Sequence, residues 1–424
     1  MNCLFLKGFS MLKNHSKVKS ILQFILGFAI VCFTLFLTYY GQEVRRYNTT
    51  ILAFNYSYGF ISRGLLGTLY LGLNELLPFD IINYESVVNI TFIATTIIVL
   101  TFFVLAIILL VKIEEKYHLN IQYVIFFFTL FFVPMFYSVR NMGRPDVYMM
   151  FLTFIGLILI VCEKFEWLLI PLSILSVMVH QGYVFLFYNI FLFLLVYKAF
   201  FNTGKKRTKY LIILITSFLS VSALFLYFNF FSHLNGENIH SEIVSLASKL
   251  GKNGEVFDIL VNHEILGIDP WEQEWPQHIY NFIEFPIFCL FMSPYIVLIV
   301  RLFKNIIGAA ETKAQKYLYV FLPLCSLTAL PCYILKIDFG RWVFAGVAYF
   351  SLVILALCAM GDSLVTEKVH ALIEDIKGRY AYAALLLIFL VTMIPLYDIH
   401  INEVMRSITD WLDLYYLHII TPAP

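Results

Sequence analysis

Four short stretches of this 424-residue chain combine residue types that can bind an anion or move a proton. They lie at 62–64, 140–146, 180–181 and 338–342. Arginine occurs in three of them, and its planar guanidinium keeps its charge and binds phosphate or carboxylate through two parallel hydrogen bonds. A histidine occurs in the remaining stretch, and its titration near neutral pH suits general acid or base chemistry. These residue types predict a site for an anionic substrate.

The first stretch contains Arg63 and Gly64, directly before the apolar run 65–77. This order predicts a short helix in the membrane interface. Its first backbone amides would bind an anion together with Arg63. An amphipathic surface helix with no ligand is the alternative.

The second stretch holds Arg140, Arg144, Pro145 and Asp146. The two arginines are four residues apart, so they share a face if the preceding helix continues that far. Pro145 suits the first turn of the following helix, and Asp146 then lies near its positive end. Asp146 either orients an arginine or acts as a base.

The third stretch, His180 and Gln181, interrupts the apolar segment 167–198. Polar groups followed by a glycine predict a break between two short helices, and ionisable groups at membrane depth are functional candidates. A histidine that simply lies at the interface is the alternative.

In the fourth stretch, Asp338 and Arg341 are three residues apart and can form an ion pair on one helical turn.

A weak internal repeat connects the second and fourth stretches. Pro134 precedes Arg144 by ten residues and Pro331 precedes Arg341 by ten, and a glycine comes directly before each arginine. The repeat predicts two similar helix pairs that present one arginine each to a shared cavity.

The elements that position these residues are membrane spans. The chain is 61% hydrophobic and only 13% charged, about half the charged fraction of a soluble domain, which excludes a soluble globular enzyme. We predict an all-α polytopic integral membrane protein, with 1–424 as one transmembrane domain and some helices short or broken. Its eleven spans are 20–40, 89–112, 121–138, 147–163, 167–180, 182–198, 210–231, 279–301, 317–335, 342–360 and 380–397.

The distribution of basic residues predicts the orientation. Most lysines fall on one side of these spans, which places the N-terminus in the cytoplasm and the C-terminus outside. Seven of the ten arginines fall on the opposite, outer side, which favours an anionic ligand there. Arginines that extend to lipid headgroups are the alternative. On the cytoplasmic side we expect little buried charge.

Two outer loops are predicted, at 41–88 and 232–278. In the second loop, the spacing of Ile243, Leu246 and Leu250 indicates a helix. Trp271 and Trp275 follow beside acidic residues, a combination that suits carbohydrate binding. A belt of interfacial tryptophans is the alternative.

The sequence lacks the motifs of several functional classes. The sequence has no P-loop, no GxGxxG after a strand, no HExxH and no CxxC pair, so we expect no nucleotide cofactor and no metal. Acidic and basic residues nearly balance, so no nucleic-acid partner is expected.

Together, the residue pairs at 63–64 and 180–181, with Gly-Arg-Pro-Asp at 143–146 and Asp-Phe-Gly-Arg at 338–341, resemble the Wzy/EpsG-type polysaccharide polymerases of bacterial envelopes. More broadly, the chain resembles the GT-C class of membrane glycosyltransferases. The resemblance implies glycosyl transfer from a polyprenyl-(di)phosphate-linked saccharide at the outer face of the plasma membrane, with membrane lipid and other envelope-glycan assembly proteins as partners.

The resemblance also implies roles for individual residues. Arginines would stabilise the phosphate leaving group, and a base would deprotonate the acceptor hydroxyl. The arginines are Arg63, Arg140, Arg144 and Arg341, and the candidate bases are His180, Asp146 and an acidic residue of the outer loop. Glu43 occupies the position of the acidic residue that GT-C enzymes carry after their first span. Gln181, Asp338, Trp271 and Trp275 complete the predicted substrate site.

The competing function is a transporter or flippase for an anionic lipid-linked sugar. The same outer arginines would then bind substrate without chemistry. Alternating access would also require buried charge near the cytoplasmic side.

Overall fold

The computed structural model describes most of the central part of the chain. The described residues are 44–114, 116–117, 141–234, 238–256, 286, 289–290, 293–335 and 339–376. Within them every regular element is helical and no β-strand occurs. The predicted spans 20–40, 121–138 and 380–397, and part of 279–301, lie outside the described residues.

Fourteen α-helices are numbered here in chain order within this described part. The first seven are α1 (Arg46–Thr50), α2 (Gly64–Leu76), α3 (Tyr84–Glu114), α4 (Pro145–Cys162), α5 (Leu169–Val179), α6 (Tyr183–Leu186) and α7 (Tyr188–Phe201). The others are α8 (Gly204–Phe230), α9 (Ile239–Leu250), α10 (Ser293–Ala309), α11 (Lys313–Cys325), α12 (Leu330–Leu335), α13 (Phe339–Met360) and α14 (Ser363–Ile376). A helix after Arg63 is confirmed as α2, and the predicted helix of the second loop is confirmed as α9.

Four of these helices, α3, α4, α8 and α13, are long and apolar enough to cross a membrane. Two shorter apolar helices cover Glu166–Val179 and Tyr188–Phe201. Apolar side chains of the long helices remain exposed, for example Ile97 on α3 and Leu219 on α8, because lipid is their solvent. The structure is therefore that of an all-α membrane-embedded protein.

Ion pairs show how the helices align. Asp146 at the start of α4 binds Arg341 at the start of α13, and we call this side of the molecule the arginine end. Lys198 at the end of α7 binds Glu163 directly after α4. Lys209 near the start of α8 binds Glu166, and this opposite side is the lysine end. Helices α4 and α7 thus run towards the lysine end, and α8 runs away from it.

The predicted break at His180 is confirmed. Helix α5 ends at Val179, His180 is extended, and α7 returns the chain to the lysine end. With 11 and 14 residues, α5 and α7 are about 16 and 21 Å long, whereas the 27-residue α8 is about 40 Å long. The turn between α5 and α7 therefore lies partway along α8, where Tyr188 Oη and Ser217 Oγ are 3.0 Å apart.

A second helix break meets this turn. Pro323 lies inside α11, which gives way to the 3₁₀ turn Ser326–Ala329 before α12. Asn189 Nδ2 donates hydrogen bonds of 3.1 Å to Cys325 O and to Thr328 Oγ1. Thr328 Oγ1 donates in turn to Phe185 O. Each break thus supplies hydrogen-bond partners for the other, which backbone at membrane depth requires.

Replacing Asn189 with alanine is expected to lower the free energy of unfolding by about 1–3 kcal/mol, because it removes both hydrogen bonds of a buried side chain. Unfolding by SDS in mixed micelles measures the change. Asn229→Ala is the control, since the one bond that Asn229 donates to the described residues is to Phe225 O, on the exposed surface of α8, and we expect a change within about 0.5 kcal/mol. Equal effects of the two substitutions would contradict a stabilising role for the hydrogen bonds between the two helix breaks.

The predicted outer loops form one structural unit at the arginine end. Ile51, Phe54 and Tyr70 from the first loop share a hydrophobic core with Ile243 and Leu250 from α9. Gly67 allows this packing, because a Cβ there would lie 2.0 Å from Phe54 O. We call residues 44–83 and 238–256 the cap.

Candidate functional site

The two arginines of the internal repeat converge on one carboxylate. Arg341 donates from Nε to Asp146 Oδ2 at 2.8 Å and from Nη2 to Asp146 Oδ1 at 2.7 Å. Arg144 Nε lies 3.2 Å from Asp146 Oδ2. Only 2% of the Asp146 side chain is exposed, compared with 9% of Arg341 and 11% of Arg144. We call these three side chains the triad.

The local sequence explains how the triad forms. Gly143 adopts φ +79°, and a Cβ on it would lie 2.8 Å from Thr91 Cγ2 on α3. Pro145 then occupies the first turn of α4, where it needs no amide partner, and Asp146 follows at the positive end of the helix dipole. Asn48 in α1 donates 2.7 Å to Met142 O, which fixes the turn to the cap.

Trp342 contacts Arg341 of the triad. The Arg341 guanidinium carbon lies 5.2 Å from the centroid of the Trp342 ring, in cation–π geometry. This contact and the bidentate pair with Asp146 leave the Arg341 side chain little freedom to rotate. Asp338, the partner predicted from sequence, lies outside the described residues.

Both oxygens of Asp146 accept hydrogen bonds from the guanidinium of Arg341. A carboxylate held in this way positions arginines rather than accepting a proton from substrate. Of the two roles that the sequence left open for Asp146, the geometry favours orientation of the arginines.

His180 is buried at the turn after α5, and its tautomer is determined by one hydrogen bond. The backbone amide of Gly182 donates 2.8 Å to His180 Nδ1. The neutral ring therefore carries its proton on Nε2 and is a donor there. Accepting a proton at Nδ1 would break the bond to Gly182. In this conformation His180 is better suited to donate a hydrogen bond than to act as a base.

Helix packing relates the positions of Arg63 and His180. Arg63 adopts φ +67° directly before α2, and α2 packs against α5, the helix that ends before His180. Gln181 follows in the turn after α5. The remaining predicted site residues are Glu43, Arg140, Trp271, Trp275 and Asp338, and they lie outside the described residues.

Buried polar atoms without a hydrogen-bond partner among the described residues concentrate at the arginine end and at the helix breaks. They include Tyr56 Oη, Ser62 Oγ, Thr95 Oγ1, Gln181 Oε1, Asn189 Oδ1 and Trp342 Nε1. Such atoms are few in native proteins, and they commonly mark a place where water, an ion or a ligand is bound. Within the described ranges no atom of this kind occurs at the lysine end.

Most of these polar residues were not singled out from sequence. Thr95 and Asn189 lie inside apolar helices, and a polar residue within a span is the only signal that marks them. Trp342 stands at a span end, where a tryptophan predicts only a place at the membrane interface.

The lysine end holds buried charge, whereas the sequence predicts little buried charge around these lysines. Lys198, Glu166 and Asp362 are buried there. Asp362 Oδ2 accepts hydrogen bonds from Tyr197 Oη at 2.8 Å and from Tyr319 Oη at 2.7 Å. Ion pairing between distant helix ends leaves no local sequence pattern, so the sequence could not predict these buried charges.

The pairs at the lysine end affect the acidity of their carboxyl groups. The hydrogen bond from Lys198 holds the pKa of Glu163 below its ordinary value. Burial raises the pKa of Glu166, but the hydrogen bonds it accepts, first of all from Lys209, outweigh this, and the net shift is downward. Both groups are therefore charged near neutral pH and hold α4, α7 and α8 together at this end.

No group of three or more His, Cys, Asp or Glu side chains that could hold a metal ion occurs in the described ranges. Compared with known proteins, the chain matches no family model, and neither a similar curated protein nor a similar solved structure is found. The functional assignment therefore depends on the site itself.

Proposed function

We propose that this protein is a membrane glycosyltransferase of the polysaccharide polymerase type. It would act at the arginine end on a polyprenyl-(di)phosphate-linked saccharide. The observation that carries the proposal is the convergence of Arg144 and Arg341, from two separate helices, on Asp146. In this proposal the chain has eleven spans in a bacterial plasma membrane, its N-terminus is cytoplasmic, and the arginine end faces outward.

The triad suits a phosphate leaving group. It combines two positive charges with one negative charge in a buried setting, where electrostatic attraction is stronger than in water. Asp146 holds the guanidinium of Arg341 in place before substrate arrives. Fixed charges of this kind stabilise negative charge that develops in a transition state without first having to reorient.

In the proposed reaction the acceptor hydroxyl oxygen attacks the anomeric carbon of the lipid-linked sugar. The bond between that carbon and the phosphate oxygen breaks, and polyprenyl (di)phosphate leaves with the bonding electron pair. Arg144, Arg341 and the Nε2 proton of His180 would stabilise the leaving oxygen. The hydroxyl proton passes to a carboxylate outside the triad, for which Glu43 and the acidic residues of the outer loop are the candidates.

The test is incubation of the purified protein with a polyprenyl-diphosphate-linked oligosaccharide in detergent, without ATP. We expect lengthened glycan and free polyprenyl diphosphate, both measured by mass spectrometry. Arg144→Lys keeps the charge but loses the planar guanidinium and its paired donors, and we expect it to reduce transfer strongly. Arg301→Lys is the matched control, because Arg301 pairs with Asp375 on the exposed surface. Equal activity of the two variants would contradict a role for the triad.

A carrier for the same lipid-linked anion is the second candidate function. Two observations favour it: buried charge at both ends, and two broken helices that meet partway through the structure. In liposomes a carrier would move the lipid-linked saccharide between leaflets and leave its glycan unchanged. Translocation without transfer would therefore replace the enzyme proposal by this one.

A further inference from the structure

We propose that an open cleft in the cap binds an uncharged saccharide. The cleft has a volume of about 500 Å³ and lies between the turn Tyr56–Tyr58 and α9. Its lining residues are Tyr58, Ser241, Glu242, Ser245, Leu246 and Lys249. This volume falls within the range of about 300–1,000 Å³ that ligand sites occupy. Only the further assignment of this ligand as the acceptor glycan rests on the proposed function.

One wall of the cleft is the aromatic side chain of Tyr58. Tyr58 ends a 3₁₀ turn that Asn55 caps, with Asn55 Oδ1 accepting 2.9 Å from the Ser57 amide. The turn is joined to α2 through the Tyr56 amide, which donates 2.8 Å to Thr68 Oγ1. The backbone at Tyr58 is therefore held before any ligand binds, and its ring packs partly against the core of the cap, which lowers the entropic cost of binding.

The other wall is one face of α9. Glu242, Ser245 and Lys249 follow each other at helical spacing and are exposed, whereas Ile243 and Ala247 on the opposite face are buried in the core of the cap. The buried face fixes the helix, and the polar face remains available to a ligand.

The chemistry of the cleft selects among ligand classes. Tyr58 offers a ring on which the apolar face of a sugar can stack, and Glu242 offers oxygens that accept hydrogen bonds from hydroxyl groups. Lys249 and the serine hydroxyls donate in return. Since Glu242 and Lys249 bring one charge of each sign, the lining favours a neutral, hydroxyl-rich ligand over a phosphate.

Tyr58 and Glu242 also influence each other electrostatically. Partial burial raises the pKa of the Tyr58 phenol, the hydrogen bond with Asn55 lowers it, and the negative charge of Glu242 raises it further. The phenol is therefore neutral near pH 7 and keeps a proton that it can donate to a sugar oxygen. The cleft itself is defined by the geometry of the two walls.

The cap connects this cleft to the triad. Helix α9 packs against α1, and Asn48 of α1 binds the Met142 carbonyl two residues before Arg144. A saccharide in the cleft would thus lie on the same end of the molecule as the proposed leaving-group site. The open shape of the cleft allows a longer chain to continue beyond it.

Binding is tested with the full-length protein in detergent on an array of lipid-free oligosaccharides, followed by titration of the strongest oligosaccharide. We expect Tyr58→Ala and Glu242→Gln each to weaken binding at least about tenfold. Tyr58→Phe keeps the ring and is expected to retain most of the affinity. His240→Gln is the control, because His240 is exposed on α9 but does not line the cleft.

Three results would overturn the proposal: no oligosaccharide binds, binding survives both Tyr58→Ala and Glu242→Gln, or only phosphate-bearing glycans bind. Glu242→Gln is isosteric and exposed, so its effect is interpretable even if Tyr58→Ala disturbs the cap. The transfer assay is separate. Cleft-dependent saccharide binding without any glycosyl transfer would refute the proposed enzyme activity and leave the cleft proposal intact.

Discussion

Asp146→Asn is expected to lower the free energy of unfolding by about 3–5 kcal/mol, among the largest effects of any single substitution in the described part of the chain. Asparagine has nearly the same shape but no charge. It leaves the guanidinium groups of Arg144 and Arg341 buried beside each other without the carboxylate between them. Removing one member of a buried ion pair costs more than the pair itself contributes, because the remaining charge has lost its solvation.

Unfolding by SDS in mixed micelles measures this change, and the chain contains a matched control. Arg301 and Asp375 form a pair of the same residue types at 2.8 Å, but both side chains are 54% exposed. We expect Asp375→Asn to change the free energy of unfolding by less than about 1 kcal/mol. If the two substitutions had similar effects, the triad would not be the buried electrostatic centre described here.

A double substitution separates stability from function. Asp146→Asn combined with Arg341→Met removes the carboxylate and one arginine together. We expect it to be less destabilising than Asp146→Asn alone, because it leaves one guanidinium instead of two without the Asp146 carboxylate. We expect no transfer activity from the double variant, since the planar donors of Arg341 are gone. Recovery of activity in the double variant would show that the triad is structural only.

The sequence could predict those parts of the site that have a local signal. The helix break at His180 follows from polar residues inside an apolar run, and the approach of Arg144 to Arg341 follows from their repeated spacing after proline. The repeat could not show that Asp146 is the shared partner. Asp146 and Arg341 are 195 residues apart, and no local pattern records which carboxylate a distant arginine will bind.

The cap and the lysine end were missed for a related reason. The sequence predicts two outer loops, and no local pattern in either shows that they share a core. Only in the structure does Ile243 of α9 meet Ile51 and Phe54. At the lysine end, Glu163 precedes the turn at His180 in the sequence and Lys198 follows it. The two side chains meet only because α7 leads the chain back to the end of α4. Such features depend on tertiary packing.

His180→Ala is expected to reduce glycosyl transfer by about 10²–10³-fold, the usual effect of removing one donor that stabilises a developing negative charge. The prediction depends on the bond from the Gly182 amide to His180 Nδ1, which leaves Nε2 as the donor. Rates are measured with the polyprenyl-diphosphate-linked oligosaccharide at saturating concentration, so that the chemical step is compared. Binding of the lipid-linked substrate should change much less.

The choice of substitution distinguishes a donor from a base. The side-chain amide of glutamine can place an N–H near the position of Nε2 but cannot take up a proton at neutral pH. If His180 donates a hydrogen bond, His180→Gln should retain clearly more activity than His180→Ala. If His180 were the base, both variants would be equally inactive, and the hydrogen bond from Gly182 would have to break during the reaction. Equal loss in both variants, with the fold intact, would therefore reject the donor role and restore the base role that the sequence first suggested.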